Sequence, residues 1–127
     1  MINFPLFKDL EAKRDKVNAY FHKETEPQLR ERLQQFGFTP IAESMPGTMI
    51  LTEQSTGNHY LLAITRYTIT VRFQHVKNGE TVKICEISNL ELNAHEMLNL
   101  IIKAIDSYLQ YGIVIDYVSA QFAPKAK

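Results

Sequence analysis

The side chains of this sequence that could carry chemistry are few and scattered. Cys85 is the single cysteine, and the four histidines are His22, His59, His75 and His95. A thiol beside an imidazole makes a nucleophile and base pair. In a hairpin turned at Asn78-Gly79, Cys85 falls opposite Arg72, a cation able to lower a thiol pKa, whereas His75 falls opposite Val82 on the other parity. The pair is not assembled, and Cys85 reads as a small buried strand residue.

No two histidines stand at i, i+3 or i+4, the spacing at which a helix would present them to one metal. "AHE" at Ala94 to Glu96 lacks the second histidine of the zinc-protease pattern, with Asn99 in its place. His95 and Glu96 are explained instead as the first turn of a helix capped by Asn93. The five glycines all fall at breaks, Gly37 and Gly112 after helices and Gly47, Gly57 and Gly79 in turns. None is left for a phosphate-cradling loop or a nucleophile elbow. No catalytic residue, metal ligand or cofactor is expected.

The remaining chemistry is basic. Arg66, Thr68, Thr70, Arg72 and Gln74 share one parity of an extended segment, with Lys83 on the neighbouring strand. Sheets that bind single-stranded nucleic acid combine such cations with stacking aromatics. Here Tyr67 and Phe73 lie on the opposite parity, so the row reads as a solvated sheet face.

The elements that would carry these residues alternate with short turns. Pro5 fits the first turn of a helix capped by Asn3 that runs to about residue 24. Its stripe of Leu6, Phe7, Leu10, Val17, Tyr20 and Phe21 is interrupted by Lys13 and Arg14, which marks a peripheral helix. Thr25, Pro27 and Gln28 form a capping-box pattern that starts a second helix, ended by Gly37. Strands follow over 38–89. The stretch His59 to Lys77 lacks Gly, Pro, Asn and Asp, and holds one apolar parity from Leu61 to Phe73, which predicts one long, bent strand. Asn93, Glu96 and Gly112 bound a helix over 94–111, apolar on most sides. "IVIDYVSAQF", 113–122, is apolar on both parities and predicts a last strand inside the sheet.

The hairpin closed by Asn78-Gly79 changes phase. Ile69, Val71 and Phe73 continue across the turn to Val82 and Ile84, but Cys85 and Ile87 take the other parity. With a two-residue turn Phe73 pairs with Ile84 and Val71 with Glu86, which puts a carboxylate on the apolar face. A bulge near Ile84-Cys85 restores the pattern. The alternative is a sheet covered on both faces.

Bulk properties narrow the class. A chain of 127 residues supports one hydrophobic core, so a single domain over 1–127 is expected. With 45% hydrophobic and 22% charged residues it has the composition of a globular protein. The 14 basic and 14 acidic side chains cancel, which removes a global electrostatic signal for nucleic acid or an anionic membrane. A lone cysteine fits a reducing compartment, and the N-terminus lacks a secretory pattern. No apolar run reaches the roughly 18 residues of a membrane span.

The expected architecture is therefore α+β: an antiparallel sheet of about five strands, mixed if the last strand runs parallel, with two N-terminal helices and one long C-terminal helix. The expected function is a cytoplasmic, non-catalytic protein-interaction module of adaptor, small chaperone, inhibitor or immunity type. It is expected to work as a homodimer through Ile87, Val114 and Val118, without a membrane. Two rival readings follow from the same residues. One is a ligand-binding or enzymatic domain with a pocket between sheet and last helix, lined by Tyr60, Tyr67, Tyr108 and Tyr111. The other, weaker, is nucleic-acid binding through Arg66, Arg72, Gln74 and Lys83.

Overall fold

The computed structural model describes residues 4–114. Helix α1 (Phe4–Tyr20), a π-helical turn (Phe21–Thr25) and helix α2 (Glu26–Phe36) precede five strands. These are β1 (Thr39–Ala42), β2 (Met45–Thr52), β3 (His59–Ile64), β4 (Ile69–Gln74) and β5 (Thr81–Ile87); helix α3 (Ala94–Tyr111) follows. The strands form one antiparallel sheet in the order β1-β2-β3-β4-β5, each hydrogen-bonded to the next. The α+β architecture is as the sequence implies.

Alternation along the strands decides which face is buried. Tyr60 and Leu62 of β3 and Ile69 and Val71 of β4 point into the core, which also holds Met49 of β2, Leu29 and Leu33 of α2, and Met97, Ile101, Ala104 and Ile105 of α3. Each such side chain stabilises the fold by about 1.5 to 3 kcal/mol. On the opposite face Arg72 is exposed, while Leu61, Ala63, Thr70 and Gln74 are partly exposed.

The phase change in the last hairpin is a bulge. Arg72 pairs with Lys83 but Val71 pairs with Cys85, so Ile84 is the extra residue between them. Ile84 and Cys85 are consequently both buried, Ile87 lies inside opposite Ile69, and Glu86 sits opposite Thr70 on the outer face. The turn itself departs from the two-residue form. His75 N–H donates to the Glu80 carbonyl oxygen at 2.9 Å, and Phe73 pairs with Val82 rather than Ile84. Residues 76–79 form the loop, and Gly79 takes the left-handed conformation at φ +72°.

The long bent strand expected over 59–77 is two strands. β3 and β4 form a hairpin around Arg66-Tyr67, with Thr65 N–H donating to the Thr68 carbonyl oxygen at 2.8 Å. Thr68 N–H also donates to Thr65 Oγ1 at 3.2 Å, and the two hydroxyls are 2.8 Å apart. Threonine hydroxyls take over the turn-forming role usually played by Asn, Asp or Gly.

The Thr25 cap is a second correction. Thr25 is helical (φ −81°, ψ −42°) and makes no capping hydrogen bond, so the first two helices are joined as one. Pro27 lacks an N–H, and in a regular helix its ring would meet the carbonyl of Lys23. The chain widens just before it into a π turn, with Glu26 N–H donating to the Phe21 carbonyl oxygen.

Helix α3 follows its sequence signature. Asn93 Oδ1 accepts from Glu96 N–H at 2.8 Å, Asn93 N–H donates to Glu96 Oε1 at 3.0 Å, and Gly112 ends the helix in the left-handed conformation. Ile113 and Val114 continue as non-strand, half-exposed residues. The rest of the expected last strand, Val118 included, and the Asn3 cap lie outside the described residues.

Candidate functional site

The interruption of the α1 stripe by Lys13 and Arg14 has a structural counterpart. Leu10, Lys13, Arg14, Val17 and Asn18 recur at i, i+3, i+4, i+7 and i+8, one face of a helix. That face forms one wall of an open groove of about 570 Å³. The facing wall is Tyr67 and Thr68 of the β3–β4 turn together with Ser88, Asn89, Leu90 and Glu91 between β5 and α3.

Helix α1 barely packs at this point. Every residue from Lys8 to Lys16 is exposed, whereas Val17 and Asn18 near the end of the helix approach the core. Leu10 is 57% exposed although it faces the groove.

Two cations converge on one aromatic ring. The guanidinium of Arg14 lies 4.9 Å from the centroid of Tyr67, and that of Arg66 lies 5.3 Å from it. Cation–π attraction holds such pairs at about 0.5 to 1 kcal/mol each when exposed. Among the described residues neither arginine has an ion pair. Glu91 lines the groove, and Asp15 lines a side cavity of about 210 Å³ shared with Asn18, Ala19, His22 and Arg66.

His22 fixes the groove's rim. Its Nδ1 is 2.7 Å from Glu26 Oε1 and its Nε2 is 3.0 Å from the Arg66 carbonyl oxygen. Both partners are acceptors, an arrangement that the doubly protonated imidazole satisfies at both ring nitrogens. Burial lowers its pKa, but the hydrogen bonds to Glu26 and to the Arg66 carbonyl, with the Glu26 charge, outweigh burial and the opposing Arg66 charge, leaving it raised. Glu26 also holds Arg30 Nε at 3.3 Å.

The basic row read from the sequence is divided. Arg66 belongs to the turn at the groove, while Arg72 and Gln74 lie on the outer face of β4, with Lys83 opposite Arg72 and ion-paired to Glu86. Cys85 is buried opposite Val71 instead of Arg72. Ile87 is 1% exposed and used by the core, so its side chain does not reach the surface where a dimer contact was expected. Val114 is exposed.

The four tyrosines of the ligand-pocket reading are also separated. Tyr60 and Tyr108 meet at a cavity of about 190 Å³ beside Phe73, Tyr67 belongs to the groove, and Tyr111 is exposed at the end of α3. Among the described residues no group of three or more His, Cys, Asp or Glu could hold a metal ion. Among the described residues no helix is long and apolar enough to cross a membrane.

Sequence reasoning did not assign Asn18 or Ser88 to Glu91 to a site. The one signal in the sequence lay on the α1 wall, as two cations where a core-packing helix would place apolar residues. Comparison with known protein families, curated proteins and solved structures finds no match for the chain.

Proposed function

We propose that this protein is a non-catalytic, cytoplasmic interaction module that binds a segment of another protein in the groove beside α1. The observation that supports this best is the unpacked face of that helix. Residues 8–16 of α1 are all exposed, and the helix turns Leu10 and Val17 toward a groove whose other apolar lining is Tyr67 and Leu90. An occupant would bury Leu10 and Tyr67, the exposed apolar side chains of the groove, at about 25 cal/mol per Å².

The charge on the walls sets the occupant's chemistry. Lys13 and Arg14 on one wall and Arg66 beside Tyr67 outnumber Glu91 and the nearby Asp15. The fitting partner is a segment with apolar side chains flanked by carboxylates, one of which takes the open side of the Arg14 guanidinium. The cytoplasmic assignment is supported by the lone cysteine.

A second copy of the chain is the other reading, supported by the outer sheet face, where Ile50 pairs with Leu61 and both are partly exposed. Selection from a random peptide library separates the two. The groove reading predicts peptides carrying an acidic residue beside an apolar one, with affinity weakened about tenfold by Arg14→Glu. Selected peptides indifferent to Arg14→Glu and Lys13→Glu would contradict it, and concentration-dependent dimerisation weakened by Leu61→Asp would favour the second copy.

A further inference from the structure

A different cavity, at the other end of the sheet from the β3–β4 turn, carries an unused polar group. Tyr60 is 2% exposed, and its hydroxyl is buried without a hydrogen-bond partner among the described residues. Leaving such a group unsatisfied costs the fold the full desolvation of the hydroxyl. The open cavity of about 190 Å³ that Tyr60 lines is also lined by Glu53, Thr56, Asn58, Phe73, Tyr108 and Leu109.

Three of these residues are aromatic and set at angles to one another. Tyr60 and Phe73 have centroids 5.5 Å apart at 62°, and Phe73 and Tyr108 are 4.8 Å apart at 46°. Glu53 supplies a partly buried carboxylate with no ion pair among the described residues. Its only side-chain hydrogen bond among them is from Ser55 Oγ, at 3.4 Å. The Asn58 amide oxygen is already engaged by Val76 N–H at 2.9 Å. Burial, the Glu53 charge and Tyr108 push the Tyr60 pKa up to about 12, so the hydroxyl stays neutral and retains lone pairs to accept a hydrogen bond.

We propose that this cavity binds an alkylammonium group, its N–H donors shared between the Tyr60 hydroxyl and the Glu53 carboxylate and its methylene carbons against Phe73 and Tyr108. Aromatic faces attract cations most strongly where water is excluded, and a carboxylate without a counter-ion supplies the charge. Lys77 and His75 line an adjoining cavity of about 310 Å³ that shares Thr56 and Asn58 with this one. The ammonium can belong to a free small amine or to a lysine side chain of a protein, since both present the same chemistry.

The test is a titration of the full chain with n-butylammonium chloride, followed by the ring-proton NMR signals of Tyr60, Phe73 and Tyr108, with n-butanol and sodium chloride as controls. The proposal predicts saturable shifts for n-butylammonium alone, weakened about tenfold by Glu53→Gln, which removes a charge at a partly exposed site and leaves the fold intact. Tyr108→Leu keeps apolar volume and should weaken binding as well. Linear, unsaturated shifts, or n-butanol binding as tightly as n-butylammonium, would overturn it and leave the cavity an apolar slot or a water site. A blocked Gly-Lys-Gly peptide distinguishes the sources: binding comparable to n-butylammonium identifies a lysine side chain, and failure beside successful n-butylammonium binding identifies a free amine.

Discussion

The imidazole of His22 donates to the carbonyl oxygen of Arg66, 3.0 Å away and 44 residues along the chain. This contact ties the π turn to the β3–β4 turn, and therefore ties the end of the α1 wall to the Tyr67 wall of the groove. The π turn makes it possible, because the widened helix before Pro27 is the segment that carries His22.

The link gives stability a pH dependence with a definite sign. The folded pKa of His22 is raised above its ordinary value of 6.5. Its contribution is thus fully present below that value and is lost as pH rises through the folded pKa. The thermal midpoint should fall as pH is raised from about 6 to about 8, and His22→Gln should flatten that dependence. An unchanged profile in the variant would remove His22 as its source.

Asn93→Ala should destabilise the fold by about 1 kcal/mol, the usual cost of a lost helix cap. The Asn93–Glu96 reciprocal bonds account for both orphan N–H groups involved. Urea denaturation measures the change, and an accompanying change in the slope would signal an altered denatured state.

Ile87→Ala should cost about 2 to 5 kcal/mol, because Ile87 is buried between the sheet and the helices. Ile87→Asp should unfold the chain, where a dimer-contact residue would only dissociate it. Far-ultraviolet circular dichroism at one concentration decides between these outcomes.

Charge reversal on the outer face should do little. Arg72→Glu should alter stability by less than about 0.5 kcal/mol, since Arg72 is exposed and makes no ion pair among the described residues. The same measurement on Arg66→Glu should leave the His22 link in place, because that link uses the Arg66 backbone.

The parts legible in sequence were those with local causes. Asn93, Glu96 and Gly112 announce α3 through hydrogen bonds within a few residues, and the phase change between Ile69 and Ile87 pointed to a bulge or a two-sided sheet, of which the register shows the bulge. The parts that were not legible depend on distant partners. Thr65 and Thr68 close a turn without any usual turn residue, so the β3–β4 hairpin looked like one strand. Thr25, Pro27 and Gln28 have the composition of a helix start, yet a π turn lets the helix continue through them. Lys13 and Arg14 were visible as a flaw in an apolar stripe, but the groove they line exists only once Tyr67 and Leu90 are brought opposite them.

The central claim, that a partner segment fills the groove beside α1, is tested most directly by amide hydrogen exchange of the full chain with and without a library-selected peptide. The account predicts that residues 8–16, all exposed in the free protein, exchange at least about tenfold more slowly in the complex, together with Thr68 and the 88–91 segment. Protection confined to the outer face around Arg72 and Lys83, with residues 8–16 unchanged, would contradict it.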